Sequence, residues 1–205
     1  MPHLRYDEQD LIRSLNTLAP RLKTVFAASC AQRLLPAYGS FTAKSERGDP
    51  PRVAAILERL WSALTGKAMS PEEITVHLET CMSLIPAEDD EPWFEEQAYA
   101  EDAGAALAYA LRTLAGGKSE DAAWAARRSY EAVDHYLTHH LGLDSSGPGG
   151  EEQLMRHPLM QAELSRQRRD LGELQQTPDA ADPAIVERFR ARAVAEGSGF
   201  FQVMT

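Results

Sequence analysis

The chain has 205 residues, 43% of them apolar and 25% charged, with 31 acidic against 21 basic side chains and a formal net charge of −10. A single domain of that size can bury roughly 70% of its unfolded surface without metals or disulfides, and the composition excludes a disordered or collagen-like chain. No window approaches a membrane-spanning apolar run, charges occupy the stretch MPHLRYDEQD where an export signal needs an apolar core, and the acidic balance disfavours a nucleic acid backbone as partner.

Leu11, Ile12, Leu15 and Leu18 recur at helical spacing behind acidic residues that complement a helix dipole, which predicts a short amphipathic helix over 7–18. Pro20 opens a second helix with Leu22, Val25, Phe26, Ser29, Cys30 and Arg33 on one stripe. Pro36 is expected to end it and to leave 36–49 as a loop. Asp49 with Pro50 caps a third helix, whose buried face is Val53, Ile56, Leu57, Leu60, Trp61 and Leu64 and whose stop is Gly66.

Phe26, Gln32, Arg33, Pro36, Tyr38 and Phe41, followed by Ile56, Leu60, Trp61 and Thr65, form a pattern that resembles the opening of the YjaG-like proteins. The resemblance continues at Ile85, Pro86, Asp89 and Asp90, around His157, Pro158 and Glu163, and at Phe201 and Gln202. Those are all-helical bacterial cytoplasmic proteins classed as a domain of unknown function. The resemblance implies a helical fold and brings no catalytic residue with it. This chain departs from it in DSSGPGG at 144–150 and in the acid-rich extension from Glu88 to Glu96.

Ser70, Pro71, Glu72 and Glu73 read as a capping box that opens a fourth helix, with Ile74, Leu78, Cys81, Met82 and Ile85 expected on its buried stripe. A fifth helix starts at about Pro92. From Ala98 to Leu111 nearly every residue is apolar or small, as in a helix buried on most sides. Gly116 and Gly117 end it, Ser119 is expected to cap a sixth helix reaching about His140, and 142–150 is a loop of flexible composition. A helical stretch over 151–175 bends or restarts at His157 and Pro158, and Asp182 with Pro183 opens the last helix, after which Phe200 and Phe201 should dock on the body. No segment alternates with period two. The expected fold is all-α, a single domain of about eight helices packed around the alanine-rich helix.

Charge is distributed unevenly along this scaffold. Between Glu79 and Leu111 stand nine acidic residues and no Lys, Arg or His, so the rest of the chain holds 22 acids and 21 bases. A localised field of one sign selects partners of the other. Within the run, Trp93 and Phe94 interrupt Glu88, Asp89, Asp90, Glu91, Glu95 and Glu96, the pattern of an interface where acids steer encounter and aromatics anchor. The plain alternatives are a solvated face and aromatics turned inward to staple the central helix.

Other chemistry is sparse. Glu131, His135 and His139 lie four apart on one helix stripe, a spacing that can chelate zinc, but neither His-Glu-x-x-His nor a paired Glu-x-x-His occurs. Cys30 and Cys81 are too few for a disulfide framework and sit on apolar stripes, which fits a reducing cytoplasm and leaves no evident nucleophile. The expected function is therefore a non-enzymatic, cofactor-free cytoplasmic binding protein. Its most concrete form is an immunity protein or antitoxin that neutralises a basic toxin such as a nuclease. A homo-oligomer with the acidic face on an Arg cluster of a second copy, and a metal-dependent enzyme built on Glu131, His135 and His139, are the alternatives.

Overall fold

The computed structural model describes residues 3–86, 96–178 and 182–204, with side chains described as far as residue 198. The expected helix start at Pro92 and the docking of Phe200 and Phe201 lie outside what is described. Among the described residues are nine α-helices and no strand: α1 (Glu8–Leu15), α2 (Pro20–Ser45), α3 (Pro50–Leu64), α4 (Pro71–Leu84), α5 (Glu96–Gly116), α6 (Ser119–His135), α7 (Gly150–Arg156), α8 (Pro158–Gln175) and α9 (Pro183–Met204). The fold is an all-α bundle, as the periodicity predicts.

Helix starts follow local chemistry. Asp49 accepts from the Arg52 N–H at 3.0 Å, Ser70 Oγ from the Glu73 N–H at 3.1 Å, and Asp182 from the Ala184 N–H at 2.9 Å. Each satisfies a backbone donor that the first helical turn leaves unpaired, and each is followed by a proline with a suitable fixed φ. At the expected restart, His157 Nδ1 accepts from the Leu159 N–H at 3.3 Å ahead of Pro158. Ser119 behaves otherwise. It lies inside α6, and its hydroxyl donates to Asn16 Oδ1 at 2.7 Å, tying the helix start to the end of α1.

The expected stop at Pro36 is overturned, because α2 continues through it for 26 residues in all. A mid-helix proline costs about 3 kcal/mol. Beyond it Ala37, Tyr38 and Phe41 are fully buried, and burying two large aromatics contributes about 3–6 kcal/mol, enough to offset that cost. The Tyr38 hydroxyl also donates to the Leu84 carbonyl at 2.8 Å, bonding the extension to the end of α4. The helix stops instead at Glu46, in the left-handed region at φ 58°.

The alanine-rich helix α5 is buried as expected, and α2 shares the centre with it, packing against α3, α5, α6, α8 and α9. Ala100, Ala106, Ala110 and Leu111 of α5 and Ala122, Ala123, Ala125 and Ala126 of α6 are fully enclosed. Small side chains let these backbones approach closely. Gly104 is the extreme case, since a Cβ there would stand 2.6 Å from Ile85 Cγ1. The end of α6 widens into a π-helical turn, Tyr136–His140, where the Leu141 N–H reaches back to the Tyr136 carbonyl at 3.1 Å. In the loop that follows, Asp144 accepts from the Ser146 N–H at 2.9 Å and from the Ser146 hydroxyl at 2.6 Å.

Helices α8 and α9 close the bundle over a buried ionic cluster. Arg33 of α2 meets Glu163 and Asp170 of α8, and Asp170 also receives Arg169 and, from α9, Arg192, each at 2.8 Å. Glu196 joins through Arg169 at 2.7 Å. Arg166 and Arg169 of α8 and Arg188, Arg190 and Arg192 of α9 thus have carboxylate partners within the chain, whereas Arg168 is exposed.

Candidate functional site

Of the acidic surface expected from the sequence, Glu88, Asp89, Asp90, Glu91, Trp93, Phe94 and Glu95 lie outside the described residues. The rest of the window divides by environment. Glu79 and Glu101 are exposed. Glu96, in the first turn of α5, is half-buried and pairs with Lys44 of α2 at 2.6 Å. Asp102 has left the surface altogether, at 1% exposure.

The helix leading into the window corrects one expectation. Met82, assigned by periodicity to the buried stripe of α4, is 62% exposed. Ile74 and Cys81, seven residues apart, point the same way and are buried, whereas Met82 is turned about 100° from Cys81. α4 packs chiefly on α5, so only a narrow stripe is covered and Met82 falls outside it. Val76 stands 54% exposed about 120° around the helix from Met82, with the exposed Glu72 and Glu79 between them in projection.

The three candidate metal ligands acquire other partners. Glu131 is held by Arg127 at 2.7 Å and by Arg128 at 2.9 Å. His135 places Nδ1 3.3 Å from Asp102 Oδ2, while Arg128 approaches Asp102 Oδ1 at 3.3 Å. His139 stands off, its ring 6.1 Å from that of His135. Among the described residues no group of three His, Cys, Asp or Glu side chains is placed to hold a metal ion. The group is an ionic junction between α5 and α6. Asp102 is its core, and sequence reading passed over it, though it is the one charge between Gln97 and Ala103 that the bundle encloses.

Electrostatics follow from that placement. Burial pushes the Asp102 carboxyl above the usual carboxylate range, against the opposing pull of His135 and Arg128. The Asp102 carboxylate in turn raises the His135 imidazole above its ordinary value, outweighing the partial burial of the ring. Burial pushes the Cys30 and Cys81 thiols up to about 12, so neither is poised as a thiolate. A cleft of about 440 Å³ is lined by α1, with Asp10 and Leu11, and by α8, with Arg168 and Leu171. Its lining has neither His nor Cys.

Comparison with known proteins then places this architecture. The family model described as "Protein of unknown function (DUF416)" matches residues 10–199. The chain belongs to the DUF416 family. A DUF416 family protein from Shewanella baltica OS155, solved by crystallography, is similar in fold with a TM-score of 0.79, covering 90% of this chain and 93% of that one at 24% identity. No curated protein matches. In this DUF416 chain the residues that carry the sequence resemblance meet in space: Trp61 Nε1 donates to Gln32 Oε1 at 3.0 Å, Arg33 to Glu163 at 3.3 Å, and Tyr38 to the end of α4. They build the frame of the fold.

No described helix is long and apolar enough to cross a membrane.

Proposed function

We propose that this DUF416 protein is a non-enzymatic binding protein that docks a basic protein partner on its acidic window. It would act in the cytoplasm, as the finer resemblance to YjaG-like proteins implies. The most concrete form is an immunity protein or antitoxin that occupies the basic site of a toxin such as a nuclease. A nuclease site is basic because it holds phosphates, so an acidic surface with aromatic anchors can fill it by charge mimicry.

One observation carries the reading: nine acids without a single base between Glu79 and Leu111. The carboxylate partners that Arg127 and Arg128 of α6, Arg169 of α8 and Arg192 of α9 already have within the chain favour a separate partner over a second copy. The test replaces Glu88, Asp89, Asp90, Glu91, Glu95 and Glu96 by Gln or Asn and compares affinity capture of basic proteins with the wild-type chain. Loss of a basic partner is the expected result. Capture that is unchanged, with unchanged salt dependence, removes charge mimicry.

A further inference from the structure

We propose that the cleft lined by α1 and α8 binds a free amino acid with a large apolar side chain, its carboxylate held by Arg168 and its ammonium group by the side-chain oxygen of Gln167. The cleft is built from other elements than the acidic window, so the two readings stand or fall separately.

The cleft is framed by specific bonds. Gln161 of α8 accepts from the Leu4 N–H and donates to the Leu4 carbonyl, both at 2.8 Å, and Arg5 reaches Glu152 of α7 at 2.9 Å. These bonds hold the segment before α1 against the first turns of α8. The space that α1, α8 and this segment line is about 440 Å³, within the roughly 300–1,000 Å³ of small-molecule sites, and Leu4, Leu11, Leu164 and Leu171 supply its apolar lining.

Three features of α8 in this lining are not explained by packing. Gly172 stands inside the helix, where glycine costs about 0.5–1 kcal/mol relative to alanine, yet a Cβ there would meet nothing within 4 Å. Its bareness keeps the space open. Arg168, unlike Arg166 and Arg169, has no carboxylate partner among the described residues. Gln167 is 5% exposed, and its Nε2 donates to the Ala126 carbonyl and to Glu163 Oε1, both at 3.0 Å, which fixes the orientation of the amide. Its Oε1 has no partner among the described residues and is not one of the orphaned polar atoms sealed from solvent, so this acceptor opens on the cleft that Gln167 lines.

These features specify a ligand. An unpartnered guanidinium takes a carboxylate, and an amide oxygen, which can only accept, takes an N–H or O–H donor. Gln167 and Arg168 are consecutive, so the two groups they bind must sit close together, as an ammonium and a carboxylate do on one α-carbon. The lining carries Arg5 and Arg168 with Asp7 and Asp10, a balance that suits a zwitterion and disfavours a polyanion such as a nucleotide. Both aspartates are already engaged within α1, Asp7 as its cap and Asp10 with Arg13. The leucines take the apolar side chain.

The test is calorimetric titration of the full chain with L-phenylalanine, 3-phenylpropionate and 2-phenylethylamine, which share one apolar body. L-phenylalanine is expected to bind with a Kd below about 1 mM, and the two analogues, each lacking one charged group, at least about tenfold more weakly. Arg168→Gln should weaken L-phenylalanine at least about tenfold, and Gly172→Leu, whose side chain enters the cleft, should abolish binding without lowering the melting temperature. Arg168 is exposed and unpaired, so Arg168→Gln decides the matter even where Gly172→Leu does not fold. No binding of L-phenylalanine at about 10 mM, equal affinity for either analogue, or unchanged binding by Arg168→Gln or by a folded Gly172→Leu would overturn the proposal.

Discussion

Arg33 donates through Nη1 to Asp170 Oδ2 at 2.8 Å, joining α2 to α8 with both side chains almost fully buried. Burial alone would disfavour the guanidinium charge, but Glu163, Asp170 and Glu196 outweigh it and hold Arg33 firmly protonated. A buried charge that loses its partner is stranded without solvent. Arg33→Met, which leaves Glu163 and Asp170 facing an apolar side chain, should cost about 3–5 kcal/mol by denaturant titration. Arg33→Lys should recover only part, because one ammonium cannot reproduce the two-armed geometry. The exposed pair Arg13 and Asp10 provides the contrast, with Arg13→Ala costing at most about 1 kcal/mol.

Two glycines separate packing from propensity. A Cβ on Gly197 of α9 would lie 2.8 Å from the Arg33 carbonyl oxygen and 3.1 Å from its Cα, so the two backbones touch where α9 crosses α2. Gly197→Ala should destabilise by about 1–3 kcal/mol, since backbone must move. A Cβ on Gly172 of α8 would meet nothing within 4 Å. Gly172→Ala should stabilise by about 0.5–1 kcal/mol through helix propensity alone. Opposite shifts in melting temperature for these two substitutions check the crossing.

The junction of Asp102 and His135 gives a pH signature. His135 is raised above its unfolded value of about 6.5, so the stabilisation it provides is fully present below that pH and is lost as pH rises through the folded value. Asp102 is raised as well, which makes its ionisation inside the bundle unfavourable and pushes stability the same way. Arg128, Glu131 and Asp134 also face the pair. The stability difference between wild type and His135→Gln should therefore be largest below about pH 6.5 and shrink above it. A difference independent of pH contradicts the assignment. Asp102→Asn should lower the imidazole titration of His135, read by NMR.

Thiol chemistry reports on the core directly. Cys30 and Cys81 are buried and raised to about 12, so a disulfide reagent at pH 8 should label neither in the native protein and both once guanidinium unfolds it. Rapid native labelling of Cys81 alone would mean that α4 detaches from α5.

Much of this fold is legible in the sequence wherever structure is decided locally. Asp49 with Pro50, Ser70 with Pro71 and Asp182 with Pro183 mark helix starts because cap and backbone donor are two or three residues apart. Pro36 misleads because the packing of Tyr38 and Phe41 overrides the local cost. Met82 misleads because the width of a buried stripe depends on how many helices cover it, and α4 is covered chiefly by one. Glu131 and His135 share a helix stripe, as their spacing says, but their partners Arg128 and Asp102 are fixed by how α5 packs on α6, which no local pattern encodes. Arg33 is readable as part of a buried stripe, whereas Glu163 and Asp170 come to it from more than 100 positions away.

The central claim, that the acidic window recognises a basic partner, is tested most directly by the salt dependence of that partner's dissociation constant. Measured between about 50 and 500 mM salt, the wild-type affinity should fall steeply, while the chain with Glu88, Asp89, Asp90, Glu91, Glu95 and Glu96 neutralised should bind weakly and with a flat dependence. Equal affinities and equal slopes for the two chains would contradict it.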